Sequence, residues 1–244
     1  DNTALSGSDY TAQNGTLTFA PGATTALISV AILNNAIYEG TETFNVNLSN
    51  ATSATIVDNQ GVGTITDAAD FPSISVNDVS VNEEAGVAIF TVSLSNASDF
   101  TSTVSFATAD NTALSGSDYT AQNGTLTFAP GATTALISVA ILNNAIYEGT
   151  ETFNVNLSNA VSATIVDNQG VGTILDTADF PSISVNDVSV NEEAGVAVFT
   201  VSLSNASDFT STVSFATADN TALSGSDYTA QNGTLTFAPA ATTA

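Results

Sequence analysis

The chain repeats itself almost letter for letter every 109 residues, and this bounds what it can fold into. The run Asp1-Asn2-Thr3-Ala4-Leu5-Ser6-Gly7-Ser8-Asp9-Tyr10 returns at 110–119 and again at 219–228. Residues 1–109 and 110–218 differ only at Thr52/Val161, Thr66/Leu175, Ala68/Thr177 and Ile89/Val198. A unit of roughly 100 residues is the size of a domain, whereas solenoid repeats run to about 20–50. The expected organisation is a row of similar domains, doing a job that many copies do better than one. The chain opens and closes in mid-repeat, which reads as a window on a longer array.

Each unit carries a strand pattern. In the central repeat Thr91 and Ser93 alternate with Phe90, Val92 and Leu94, and Ser138 and Ala140 with Ile137, Val139 and Ile141. Asn154 and Asn156 alternate with Phe153, Val155 and Leu157. Period-2 alternation gives a strand one dry face and one wet face. Asn123-Gly124, Pro130-Gly131 and Asn168-Gln169-Gly170 punctuate these runs as turns. No segment shows a capped helical stripe. The fold class expected is all-β: tandem immunoglobulin-like antiparallel β-sandwiches of about seven strands each. Boundaries fall at Phe71-Pro72 and Phe180-Pro181, after short acidic steps. They divide the chain into 1–71 (the C-terminal part of a repeat), 72–180 (a complete repeat) and 181–244 (the N-terminal part of a repeat). Linkers this short favour a semi-rigid rod. The Phe residues are expected at in-facing strand positions, with Tyr119 and Tyr147 bracing acidic loops.

Charge excludes whole classes of function. There is no Lys, Arg, His, Cys, Met or Trp, and all 24 charges are negative. With 43% hydrophobic residues the chain can still bury a core. Nucleic acid is excluded as a direct partner because nothing can neutralise phosphate. Direct membrane insertion is not expected, since no apolar run approaches the roughly 18 residues of a span. Without Cys there are no disulfides and no thiolate metal sites. Ser and Thr have no His or Lys to activate them, so an enzyme is not expected. No acid can find a salt bridge within the chain. Carboxylates that cluster must stay hydrated, protonate or recruit a metal ion.

Four stretches of the central repeat resemble the Calx-beta family: Gly116-Ser117-Asp118-Tyr119; Gly124-Thr125-Leu126-Thr127-Phe128 with Pro130-Gly131; Ile146-Tyr147-Glu148-Gly149-Thr150-Glu151-Thr152-Phe153; and Gly172-Thr173-Ile174-Leu175-Asp176. The resemblance covers the whole 109-residue unit. It implies an immunoglobulin-like sandwich that in some members binds calcium at one end. It places metal ligands at Asp118, Glu148, Glu151 and Asp176, with a backbone carbonyl from Ile146 and an acid from Glu83 or Glu84. Two departures stand out. The family's strong binders carry consecutive Asp where this chain has Asn143-Asn144-Ala145, and their final acidic run is thinned here to Asp176-Thr177-Ala178-Asp179. Asn143 and Asn144 would coordinate without charge, so fewer Ca2+ ions or weaker binding are expected than in the family's strong binders.

Seven acids of the 72–180 unit fall in the motif segments: Glu83, Glu84, Asp118, Glu148, Glu151, Asp176 and Asp179. If their loops meet at one pole, a hard divalent ion resolves the repulsion. The equivalent set in the first unit is Asp9, Asn34, Asn35, Ile37, Glu39, Glu42, Asp67 and Asp70, without the first-strand Glu. The last unit retains only Glu192, Glu193 and Asp227. Acids at loop ends also serve simply as solubilising charge. Asp78, Asp99 and Asp167 are assigned that way, as solvated turn residues. The function expected is a structural stalk or fibre segment of a large microbial surface or matrix protein, extracellular or at the cell surface, its joints stiffened by calcium. The alternatives are a calcium-regulated binding module and a glycan-binding adhesin repeat. The expected partners are neighbouring repeats of the same chain and, in a fibre, copies of itself.

Overall fold

Period-2 alternation organises the structure, a computed structural model that describes residues 2–243. In the first unit Thr41–Asn47 (β1) pairs antiparallel with Gln60–Thr66 (β2). The middle unit carries Ser73–Val76 (β3), Val79–Asn82 (β4), Val87–Leu94 (β5), Ser102–Asp110 (β6), Asn123–Phe128 (β7), Thr134–Ala140 (β8), Ile146–Tyr147 (β9), Thr150–Val161 (β10), Thr164–Ile165 (β11) and Gln169–Leu175 (β12). The last unit adds Ile183–Val185 (β13), Val201–Leu203 (β14), Ala206–Ser207 (β15), Ser211–Ala216 (β16) and Asn232–Phe237 (β17).

Two sheets make the middle sandwich, in the orders β4-β12-β10-β6-β7 and β11-β3-β5-β8. The strand count is higher than expected for two reasons. Two-residue segments are added, β11 at a sheet edge and β9 in a separate pair with β15 of the last unit, and the first strand is broken at Asn77-Asp78, so that β3 and β4 serve different sheets. The break leaves its neighbours paired. Asn77 Oδ1 accepts from the Thr91 N–H at 2.6 Å, and Asp78 Oδ1 from the Val171 N–H at 2.7 Å. Asp78 is therefore tied into the sandwich as well as solvated.

The core is the inner face predicted by alternation. Phe90, Val92, Leu94, Ile137, Val139, Phe153, Val155 and Leu157 are all buried. Phe153 sits at its centre, stacked on Tyr119 at 4.4 Å between centroids and edge-on to Phe90 at 5.8 Å. Its ring lies across Gly172, its partner on β12. A Cβ on that glycine would fall 2.4 Å from the ring. Tyr119 is thus a core residue, and it also braces its loop, because its hydroxyl donates to Asp110 Oδ1 at 2.5 Å.

The outer units do not close into sandwiches, and not every Phe is inside. Residues 14–19 and 25–31 repeat the sequences of β7 and β8 but form no strand. The first unit contains no counterpart of β5 or β6 to pair with them, and a lone strand cannot hold itself. In the last unit β16 and β17 pair in the register of β6 and β7, because both partners are present. Residues 188–191 repeat β4 without becoming a strand, since nothing there corresponds to β12. Phe90 is 0% exposed and its counterpart Phe199 is 54% exposed. Phe71, Phe100, Phe180 and Phe209 are also exposed. They sit on Tyr38 and Tyr147 at the joints rather than in a core.

Replacing Gly172 by Ala is expected to destabilise the middle sandwich by about 1–3 kcal/mol, the usual cost of overpacking a filled core. Urea unfolding followed by tyrosine fluorescence measures it. An unchanged midpoint would mean that Phe153 can move aside.

Candidate metal centre at the joint between repeats

The inner faces of three strands run on into acids. Val81 on β4 is followed two residues later by Glu83, Ile174 on β12 by Asp176, and Phe153 on β10 is preceded two residues earlier by Glu151. A two-residue step keeps a side chain on the same face. These carboxylates therefore continue the buried series beyond the end of the apolar core. Glu83, in the one-turn 3-10 helix Glu83–Ala85, is 3% exposed and Asp176 is 4% exposed. Asp118, next to buried Tyr119, is 6% exposed.

The acids meet in two trios, Glu83–Asp176–Asp179 and Asp118–Glu148–Glu151, with carboxylate oxygens within 4.8 Å of one another in each. Hydrogen bonds tie the trios together. Asp176 Oδ2 accepts from the Glu148 N–H at 2.7 Å. The Asn144 N–H donates to Glu83 Oε1 at 3.0 Å, and its side-chain amide donates to Glu148 Oε2 at 3.0 Å. Asn144 Oδ1 is engaged by the Ile146 N–H at 2.6 Å. Asn144 thus positions two glutamates, a role its assignment as a ligand did not anticipate. Asp118 Oδ2 accepts from the Leu114 N–H at 2.7 Å, which holds the loop closed. Glu84 and Asn143 are exposed and belong to neither trio.

The first unit repeats this geometry with one acid fewer. Asp9, Glu39 and Glu42 form a trio, Asn35 donates to Glu39 Oε2 at 3.0 Å, and Asp67 Oδ2 accepts from the Glu39 N–H at 2.8 Å. A recess of about 90 Å³ is lined by Asp9, Asn34, Asn35, Ile37, Glu39, Glu42, Asp67 and Asp70, among others. Among the described residues, Glu192, Glu193 and Asp227 join no such trio in the last unit.

Crowding shows in the proton affinities. Burial pushes Glu83 up to about 7, helped by the charges of Asp176, Glu148 and Asp179 and opposed by the Asn144 N–H. Burial likewise lifts Glu151 to about 7, with the charge of Asp118 and a carboxyl–carboxylate hydrogen bond to it. Glu42 reaches about 7 for the same reasons, its neighbour being Asp9. Glu148 and Glu39 are also raised, chiefly by burial. Glu148 and Glu151 both feel Asp208, and Glu39 and Glu42 both feel Asp99, acids that belong to the following repeat. Asp99 is exposed and in a bend, as a solvated turn residue would be, and its backbone N–H donates to the Tyr38 carbonyl at 2.9 Å.

The donor set fits a hard cation. Glu83 Oε2, Asp176 Oδ1 and Asp9 Oδ1 are buried with no hydrogen-bond partner. An unsatisfied buried polar atom costs about 1–3 kcal/mol, and more when charged. All-oxygen ligands on adaptable loops suit calcium better than magnesium.

The sequence profile of the Calx-beta domain matches residues 1–69, 65–178 and 175–244. This chain belongs to the Calx-beta domain family. The mouse (Mus musculus) protein "Extracellular matrix organizing protein FRAS1" is 29% identical over 260 residues, covering 97% of this chain and 6% of that protein. "Sodium/calcium exchanger 1" of Felis catus is 33% identical over 124 residues, covering 48% of this chain and 13% of that protein. The chain thus spans a small part of each relative. Among solved structures, the "calcium binding domain CBD12 of CALX1.1" is 21% identical, covers 70% of this chain and 72% of that one, and has a TM-score of 0.43. Within that family, the middle repeat here is an all-β, immunoglobulin-like sandwich.

The raised glutamates set a pH dependence. Glu42, Glu83 and Glu151 keep a proton up to about pH 7 in the folded chain but only to the ordinary glutamate value when unfolded. Between those values the folded state binds more protons. Their contribution to stability is full below the unfolded pKa and is lost as pH rises through about 7. Thermal unfolding in chelator is expected to show Tm falling between about pH 5 and pH 7.5. A flat or rising Tm across that window would contradict the assignment.

Proposed function

We propose that this chain is a structural segment of a repetitive extracellular protein, with calcium held at its joints. Its units would be 1–71, 72–180 and 181–244, and its partners the neighbouring repeats and further copies of itself. The single observation that carries the calcium reading is the group of buried carboxylate oxygens without partners in a chain that has no cation. Glu83, Asp118, Glu148, Glu151, Asp176 and Asp179 would hold the ion. Bound there, calcium would supply the positive charge that these carboxylates lack. The chain's own residues do the remaining work: Asn144 and the Glu148 N–H orient the carboxylates, and Tyr119 and Phe153 close off the core beneath them.

The mechanical reading is supported by the joints, which are built alike. Tyr38 packs on Phe71 at 5.1 Å and Phe100 at 5.8 Å, and Tyr147 on Phe180 at 5.0 Å and Phe209 at 5.7 Å. Joints built from the same aromatic contacts suit a stalk. The name of the matrix-organising relative agrees with an extracellular setting. The exchanger match favours a second reading, a calcium-regulated module. Near-identical tandem copies count against it, because a sensor gains little from repetition.

Thermal unfolding in millimolar calcium and in excess chelator tests the ion site. Calcium is expected to raise Tm, and E148Q with E151Q is expected to abolish the rise. No shift of the unaltered chain would leave the acids as solubilising charge on a metal-free spacer.

A further inference from the structure

The two outer units are open in complementary ways. Residues 1–71 repeat 110–180 and residues 181–244 repeat 72–135, apart from isolated substitutions, so together they hold every segment of one complete repeat. The first unit has β1 and β2, the counterparts of β10 and β12, and the last has β16 and β17, the counterparts of β6 and β7. In the middle repeat β10 pairs with β6 and β12 with β4. Among the described strands of the outer units, β1 is paired with β2 alone and β16 with β17 alone. Side chains mark the same gap. Ile74 on β3 is 0% exposed and its counterpart Ile183 42%, while Leu157 on β10 is 4% exposed and its counterpart Leu48 43%.

The last unit carries a cavity of about 330 Å³, lined by Tyr147, Phe180, Ile183, Leu203, Phe209 and Ser211, among others. In the middle repeat the corresponding place is closed by residues 162–166. Ser102, the counterpart of Ser211, is buried and donates to the Ser162 carbonyl at 3.1 Å. The Thr164 N–H donates to the Pro72 carbonyl at 3.0 Å, and the Val166 N–H to the Ile74 carbonyl at 2.9 Å. The cavity is therefore the seat of a short strand that runs parallel to β13, as β11 runs parallel to β3.

The segment that fits this seat stands ready on the first unit. Residues 51–57 repeat 160–166 with one change, Thr52 for Val161, and all of them are exposed. The hairpin that carries them is already built. The Leu48 N–H donates to the Asn59 carbonyl at 2.8 Å, as the Leu157 N–H does to the Asn168 carbonyl. Asn50 and Ser53 have φ of 54° and 57°, against 51° and 59° at Asn159 and Ser162. Left-handed backbone is uncommon for residues other than glycine. A hairpin that keeps it while unpaired on its outer edge has already met part of the ordering cost of docking. One segment is present twice, since 1–26 and 219–244 both repeat 110–135. Residues 232–237 form β17 on β16, whereas 14–19 form no strand, so the receiving chain's copy keeps the place.

We infer that the last unit of one copy receives the β1–β2 hairpin of a second copy. β1 adds to β16 as β10 does to β6, β2 adds to residues 188–191 as β12 does to β4, and residues 51–57 fill the cavity. The inference rests on the reading above that copies of the chain are partners, and it is independent of calcium. Edge-strand addition supplies main-chain hydrogen bonds, and the buried face of each strand fixes the register. Donor and receiver are different surfaces of each copy, so the contact is heterologous and adds copies in a row. The 24 negative charges on each copy oppose this contact, and salt therefore promotes it.

The test uses the 244-residue chain, which has no Cys of its own. Ser158 faces Ser105 in the β10–β6 register, so Ser49 of one copy would face Ser214 of another. Residues directly opposed on antiparallel strands lie within disulfide reach. S49C and S214C chains, made separately and mixed under oxidising conditions, are expected to crosslink about tenfold faster than S49C mixed with S226C, because pairing raises the effective concentration of the two sulfurs. Ser226 is exposed and lies outside that register. The unaltered chain is expected to sediment with a mass that grows with protein concentration and with salt. Association accompanied by S49C–S214C crosslinking no faster than the control would overturn the hairpin exchange and leave copies meeting through another surface. A chain that sediments as a monomer at every concentration and salt would remove both the exchange and the self-association, with the calcium reading intact.

Discussion

The strand Thr150–Val161 is the member on which the rest of the middle repeat depends. It is hydrogen-bonded on both sides, to Ser102–Asp110 and to Gln169–Leu175, and it is the longest strand described. Its inner face carries Phe153, Val155 and Leu157 into the core and Glu151 into the acidic centre. Core and site are therefore successive stretches of one period-2 series. The apolar part anchors the strand, and the anchored strand then forces a carboxylate into a place where it is poorly hydrated.

That economy explains why the acids are tense rather than merely present. In a chain with cations, the end of a sandwich could be neutralised by Lys or Arg. Here neutralisation has to come from protons or from outside. Two devices keep the arrangement standing meanwhile. Backbone N–H groups and Asn144 hold one oxygen of several carboxylates, and the Tyr–Phe clusters press adjacent repeats together. Asn at position 144 is informative in this light, because its amide can donate to Glu148 where an ionised Asp would repel it.

Much of the fold was legible because strand periodicity is a local property. Alternation picked out Phe90, Val92, Ile137, Val139, Phe153 and Val155 as inward, and they are. Grouping of the motif acids was legible through resemblance and charge together. Three things were not. Asn77-Asp78 reads as an interruption of the first strand, but that its two halves join different sheets depends on partners far along the chain. The aromatic residues at 71, 100, 180 and 209 follow no alternation that distinguishes a joint from a core. The role of Asn144, whose side chain and N–H hold two glutamates, depends on loops that meet only in the fold.

The near-identity of the repeats separates what local sequence decides from what tertiary structure decides. Sequence alone determined the period, the inner and outer faces of each strand, the turns, and the absence of any internal cation. It did not determine whether a given strand forms. Residues 14–19 and 123–128 are the same six letters, yet only the second set is a strand. Phe90 and Phe199 occupy the same repeat position, yet only the first is buried. The physical reason is that a strand's hydrogen bonds and a sandwich's dry face are both supplied by other segments. The centre obeys the same rule. Most of its carboxylates recur from repeat to repeat, but the buried Glu83 and Asp176, each with one oxygen lacking a partner, come together only where β4, β10 and β12 meet.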